Sequence, residues 1–268
     1  MTARVNPAAQ APPQTPLMNR MVNWGFVILF LAAMLISYRD AHIQDLHMLV
    51  DHSANTGNYL KDYLKPDFSD WKIYTAQMWL TVEMAIWGTV MSVIMAIPLS
   101  LVCSGNLAPQ WIVQPMRAIM NILRAFPELV LGTAFLVAVG LGPLAGVLAL
   151  ALHNTGVLAK LFSEAVEAIE TAPVEGVRAT GGSRLHEIVW GIIPQVAPLW
   201  TSFALYRFES NARSATILGL IGAGGIGQVL FENLQGFNYA NVSAIAIVIM
   251  VAVTLIDLLS QQLRKHLV

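Results

Sequence analysis

The chain has 268 residues, 56% of them hydrophobic and only 12% charged, with a formal net charge of −1. A typical soluble domain carries roughly 25% charged residues, and the deficit here comes from whole windows with none: 21–38, 84–116, 129–159, 191–206, 214–231 and 233–256. Such runs exclude a water-soluble domain, and the lack of any basic block excludes a nucleic-acid binder.

A helical span needs about 20 mainly apolar residues. The windows therefore predict an all-α, polytopic membrane protein with six transmembrane helices. An outer-membrane barrel would show short alternating segments instead. Residues 1–20 are rich in Ala, Pro, Gln and Thr and predict a disordered tail. The run 21–38 follows Arg4 and Arg20, ends without a small-residue cleavage site, and reads as an uncleaved first span. Residues 39–75 form a polar loop with six Asp and four Lys or Arg, and a short helix is expected near 44–50. Its His42, His47 and His52 are spaced by five, so on a helix they diverge. They read as solvated side chains rather than metal ligands.

Further spans are predicted at 76–102, 114–139, 144–162, 192–220 and 240–259. The breaks between the first three of these are Gly105-Asn106-Leu107-Ala108-Pro109 and Gly140-Leu141-Gly142-Pro143. Cys103 lies in an apolar run and reads as a small buried hydrophobe. A lone cysteine forms no internal disulfide. Glu164, Glu167 and Glu170 mark an acidic helical face leaving the bilayer. Six spans put both termini on one side. Arg4, Arg20, Arg264 and Lys265 select that side as cytoplasmic. The segment 164–190 then faces the cytoplasm and the loop 39–75 the periplasm, across an inner membrane.

The most informative stretch is the amphiphilic interruption 173–190. Pro173 suits a first helical turn, and Glu175 the positive end of the helix dipole. Glu175 and Arg178 are three apart and can pair on one face. Gly181 and Gly182 stop the helix, and Ser183 can cap the next. A helix and a glycine break placed between two spans make a handle for a partner in the water. The alternative is an ordinary amphipathic loop helix.

This segment resembles the loop of bacterial ABC-importer permeases: Glu-Ala-Ala, three residues, Gly, nine residues, Ile-x-Leu-Pro. The chain supplies Glu175, Gly181 at the matching distance, then Ile193-Pro194. It departs at Gly176 and Val177, where the family has alanines, and at Gly191, where it has Ile. A second stretch, Arg207-Phe208-Glu209-Ser210-Asn211-Ala212-Arg213 followed by Gly222-Ala223-Gly224-Gly225-Ile226-Gly227, looks like the signature of phosphonate-import permeases. His153-Asn154-Thr155-Gly156-Val157 and Ser163-Glu164-Ala165-Val166-Glu167 agree with it. The resemblance covers residues 70–268 closely and the first span loosely. It implies the type I ABC importer permease fold and a pair of such permease subunits. It further implies an ABC ATPase subunit that grips the cytoplasmic coupling loop 173–190, and a periplasmic phosphonate-binding protein that delivers the anion. Glu175, Arg178, Gly181, Gly182 and Pro194 are the coupling candidates.

The charged run is independently informative. Arg207, Glu209 and Arg213 interrupt a predicted span, and each charge at a helix centre costs roughly 2.5–3.5 kcal/mol on insertion scales. Such residues face a bundle interior or a watery path. Glu209 and Arg213 are four apart, as are Arg124 and Glu128 beside Pro127. Arg207 shares a helix face with Asn211. Together Arg124, Glu128, Arg207, Glu209, Asn211 and Arg213 are the substrate-path candidates, the alternative being structural ion pairs.

Gly222-x-Gly224-x-x-Gly227 fits the dinucleotide pattern, but a span precedes it and no acid follows in 241–256. It reads as a tight re-entrant or external turn between the last two spans. There is no phosphate-binding G-x-x-x-x-G-K-[ST] and no catalytic triad pattern. The chain is therefore expected to be non-catalytic and to carry no cofactor, with ATP bound by a separate subunit. The competing readings are a permease for phosphate, phosphite, methionine or a metal, a proton-coupled secondary transporter, or a membrane scaffold.

Overall fold

The computed structural model describes residues 17–48, 57 and 60–267. The expected tail therefore lies almost wholly outside the described residues, with Arg4, as does His52. The chain divides into two compact units, 1–60 and 61–268. In the first unit, α1 (Leu17–Asp40) is long and apolar enough to cross a membrane. A single 3-10 turn, Ile43–His47, follows where the sequence predicts a short helix. His42 Nδ1 lies 2.9 Å from Asp45 Oδ2 within that turn.

The second unit is a helical bundle. Its elements are α2 (Trp71–Cys103), α3 (Gln110–Ala125), α4 (Glu128–Val139), α5 (Pro143–Glu167), α6 (Thr171–Ala179), α7 (Ile193–Leu218), α8 (Ile226–Gln235) and α9 (Tyr239–Leu267). Among the described residues five helices, α1 included, are long and apolar enough to cross a membrane, or six spans if α3 and α4 together make one.

α5 is the centre, packing on α2, α3, α4 and α7. Its inward face carries Ala145, Gly146, Ala149, Ala151, Gly156 and Ala159, all buried. Small residues let helices approach closely where hydrocarbon surrounds the bundle and no hydrophobic effect drives them together. Gly156 meets neighbouring backbone: a Cβ there would lie 2.9 Å from the Met120 carbonyl oxygen and 3.0 Å from the Arg124 amide nitrogen. The two helices touch backbone to backbone, so any larger residue must push α3 away. Phe162 and Trp200 then stack at 4.8 Å and close the adjoining core between α5 and α7.

The predicted span 114–139 is not a single helix. α3 and α4 meet at an 87° bend. Pro127 is the cause: it has no N–H to continue a helix and pushes the residue before it into extended backbone. Phe126 sits at φ −75°, ψ 123°. The turn expected between the last two spans also differs, because it contains a helix of its own. A widened turn, Gly219–Ala223, ends α7, and Gly222, Gly224 and Gly225 have φ of 102°, 83° and 75°. The chain then re-enters as α8, whose first N–H, from Ile226, donates to Thr81 Oγ1 on α2 at 2.9 Å.

Candidate functional site

The interruption folds as an exposed bracket. α6 has no buried residue. Val174 and Val177 are half-buried and form its inner side. Gly191 explains itself here: a Cβ at that position would come within 3.0 Å of Val174 Cα. The Gly at this departure from the family pattern is what lets α6 lie on the widened turn Glu187–Ile192. α6 ends as glycine predicts. Gly181 has φ +81°, and Gly182 N–H donates to the Val177 carbonyl at 3.2 Å. A C-terminal cap of that kind satisfies carbonyls the helix leaves open. Ser183 begins the next turn, Arg184–His186, and its hydroxyl lies 2.8 Å from His186 Nδ1. Pro194 falls in the first turn of α7, where its missing N–H costs least.

Arg178 does not pair with Glu175. It makes a two-pronged contact with Glu187 instead, Nε to Oε1 at 2.8 Å and Nη2 to Oε2 at 3.1 Å. Glu187 lies across the glycine break and matches the guanidinium fork, which a neighbour three residues along the same helix cannot do as well. Donating to the Glu187 carboxylate holds the Arg178 guanidinium above its already high range. Among the described residues no ion pair includes Glu175, so its carboxylate is presented outward. Two further struts brace the bracket. Gln195 donates to the Glu170 carbonyl at 3.2 Å and accepts from the Glu170 N–H at 3.1 Å. Arg184 Nη2 donates to the Leu107 carbonyl in the turn between α2 and α3. Beside that turn Arg117 on α3 donates from Nε to the Cys103 carbonyl at 2.9 Å and pairs with Glu167. Leu185 and Trp190, 72% and 69% exposed, add an apolar surface to the bracket that the charged pattern did not reveal.

The charged candidates of the bundle fall into three places. Glu209 is buried and accepts from two arginines, Arg213 Nη2 at 2.9 Å and Arg264 Nη2 at 3.4 Å. The first partner is legible from spacing. The second comes from the end of α9 and is not. Asn211 lies in the interior, not on an open face with Arg207. It donates to Thr89 Oγ1 at 2.8 Å and accepts from Asn154 Nδ2 at 2.7 Å, joining α2, α5 and α7. Arg124 and Glu128 are separated by the bend at Pro127, and no ion pair joins them among the described residues. Arg124 is exposed in the last turn of α3.

Glu128 instead opens α4 and reaches α7 and α5. Its Oε1 accepts from Ser214 Oγ at 2.7 Å, and its Oε2 lies 3.8 Å from His153 Nε2. His153 Nδ1 is 2.9 Å from the Phe126 carbonyl, which the helix break leaves open. A carbonyl only accepts, so Nδ1 donates and Nε2 faces the carboxylate. Arg207 stands nearby without closing on it. Its Nε is buried and has no hydrogen-bond partner. The ionisable groups near enough to interact with it are Tyr206 and Glu128, yet among the described residues no ion pair includes Arg207.

Comparison with known proteins fits this architecture. A permease of the phosphite transport system of Stutzerimonas stutzeri is 37% identical over 243 residues, covering 90% of this chain and 88% of that one. A putative cryptic phosphonate transport system permease of Escherichia coli K12 is 59% identical over 121 residues, 45% of this chain and 99% of that one. In structure, the chain resembles a subunit of the inward-facing methionine ABC transporter MetNI, with a TM-score of 0.67 at 19% identity, covering 75% of this chain and 99% of that one. At that identity the likeness concerns the fold: a helical bundle of the ABC importer permease kind. Residues 88–268 match the family model for the inner membrane component of binding-protein-dependent transport systems. With its exposed bracket, its apolar bundle and its charged interior, the chain belongs to the family of inner membrane components of binding-protein-dependent transport systems.

Proposed function

We propose that the chain is the permease subunit of an ATP-driven importer that moves phosphonate anions across the inner membrane. α6 and the break after it dock on an ABC ATPase subunit in the cytoplasm. A periplasmic binding protein delivers the anion, and two copies of the chain work as a pair. The chain itself is non-catalytic and holds no cofactor.

The observation that carries the reading is Arg207. A guanidinium with a buried, unpartnered Nε in an apolar bundle is costly to keep. It is retained where a passing ligand completes it. A phosphonate presents oxygens in the geometry that a guanidinium fork recognises. Release must follow, so the site cannot hold too tightly. Glu209 supports this by tempering Arg213. The 59% identity to a putative cryptic phosphonate permease over 45% of the chain supports the same substrate class. The relative that covers nearly all of the chain is a phosphite permease, and phosphite is the second reading.

The test is uptake of labelled methylphosphonate in cells lacking other carriers. Arg207→Ala is expected to cut uptake while the protein still inserts. Full uptake by the double variant Arg207→Ala, Arg213→Ala would mean that the anion takes another route. Competition by a tenfold excess of phosphite that abolishes uptake, where excess of a second phosphonate does not, would favour the phosphite reading.

A further inference from the structure

Glu128 poses a problem for an anion carrier. It places a carboxylate within electrostatic reach of the one guanidinium proposed above to meet the substrate. A carboxylate competes with a phosphonate for the same fork. In an apolar bundle the two opposite charges should close into an ion pair, because partial desolvation strengthens their attraction. They do not, and the structure gives a reason. Ser214 lies seven residues beyond Arg207 on α7, on the same face and about 10 Å further along the axis. Its hydroxyl holds Glu128 Oε1 at 2.7 Å. On the other side His153 stands 3.8 Å from Oε2, its ring fixed by the Phe126 carbonyl. The carboxylate is thus hydrogen-bonded at Oε1 to a hydroxyl two turns of α7 beyond Arg207, and at 3.8 Å the imidazole makes no hydrogen bond to Oε2.

We infer that Ser214 is a positioning residue that holds the Glu128 carboxylate off Arg207 and so keeps the guanidinium open to an oxyanion. The inference rests on Arg207 being an anion contact. The bend at Pro127 belongs to the same device. It exposes the carbonyl that orients His153, and it swings Glu128 from the face of α3 toward α7.

The experiment measures the rate of methylphosphonate uptake at saturating concentration, with the membrane level of the tagged chain as control. Ser214→Ala is expected to cut the rate about tenfold, the equivalent of one hydrogen bond to a charged group. Ser214→Thr, which keeps the hydroxyl, should transport normally. The decisive variant is Ser214→Ala with Glu128→Gln. Removing the competing charge should bring the rate back to within about twofold of Glu128→Gln alone, a coupling that independent sites do not show. Ser214→Cys, with and without Glu128→Gln, repeats the test with a weaker donor and serves if Ser214→Ala does not insert. Normal transport by both single variants, or a defect that Glu128→Gln leaves in place, would overturn the inference. Normal transport by Arg207→Ala would overturn the reading beneath it as well.

Discussion

At the scale of single residues, the bundle separates polar groups that hold it together from charges left open. Thr89, Asn211 and Asn154 form a closed chain in which each amide is satisfied. Interhelical hydrogen bonds of this kind average about 0.6 and reach about 1.7 kcal/mol inside membranes. Asn211→Leu removes two, so a loss of roughly 1–3 kcal/mol is expected, read as a lower Tm in detergent. An unchanged Tm would place Asn211 outside the structural core. Glu209 makes a sharper case. Arg213 is 48% exposed and keeps much of its hydration, whereas Arg264 is 28% exposed and depends more on the carboxylate. Glu209→Ala should therefore reduce the amount of folded protein in the membrane more than Glu209→Gln, whose amide still accepts from one arginine. Equal yields from the two variants would show that neither arginine needs an acceptor there. Spacing made the Glu209–Arg213 pair legible. It misled for Arg178, because a local partner competes poorly with a two-pronged one across a turn. It could not suggest Arg264, Ser214 or His153, whose partners lie 55, 86 and 25 residues away.

At the scale of elements, the apolar windows and glycine breaks located most helices within a few residues. They missed two features with a shared cause. Proline at 127 and the three positive-φ glycines at 222, 224 and 225 act on backbone direction, which hydropathy does not record. The bracket formed by α6 shows how a family pattern and local packing can disagree. The pattern asks for Ile at 191 and alanine at 176. Gly191→Ile should drive a branched side chain into Val174 and displace α6, whereas Gly176→Ala meets nothing within 4 Å. Alanine there should be neutral or improve the helix by up to about 1 kcal/mol. Gly181→Val forces a branched residue into φ +81°, at about 1–2 kcal/mol for the left-handed conformation. Both Gly191→Ile and Gly181→Val are expected to insert normally, transport poorly and lose a co-purifying ATPase, with Gly176→Ala behaving as the parent. Normal transport by Gly181→Val with its ATPase bound would remove α6 from the coupling role.

At the scale of the whole molecule, the side of the membrane that each segment faces turns on α3 and α4. Counted as one bent span they give six crossings and put the termini together. Counted as none they give five and put the termini apart. The distribution of charge favours six. Arg20 stands at the start of α1 and Arg264 and Lys265 near the end of α9, which places both ends on one side, and the bracket between α5 and α7 carries Arg178 and Arg184. Basic residues near span ends are retained on the cytoplasmic side. With six crossings the bracket and the C-terminus share the cytoplasm, and residues 61–70 face the periplasm. Two cysteines read the two sides at once in a Cys103→Ala background. Lys65→Cys lies in an exposed stretch ahead of α2, and Gly176→Cys on α6 has open space for its side chain. An impermeant thiol reagent added to intact cells is expected to label Lys65→Cys and to spare Gly176→Cys until the cells are opened. Labelling of Gly176→Cys in intact cells would place the bracket outside, beyond the reach of any cytoplasmic ATPase. Labelling of Lys65→Cys only after lysis would put the start of α2 in the cytoplasm, and with Gly176→Cys protected as well, α3 and α4 would make no crossing.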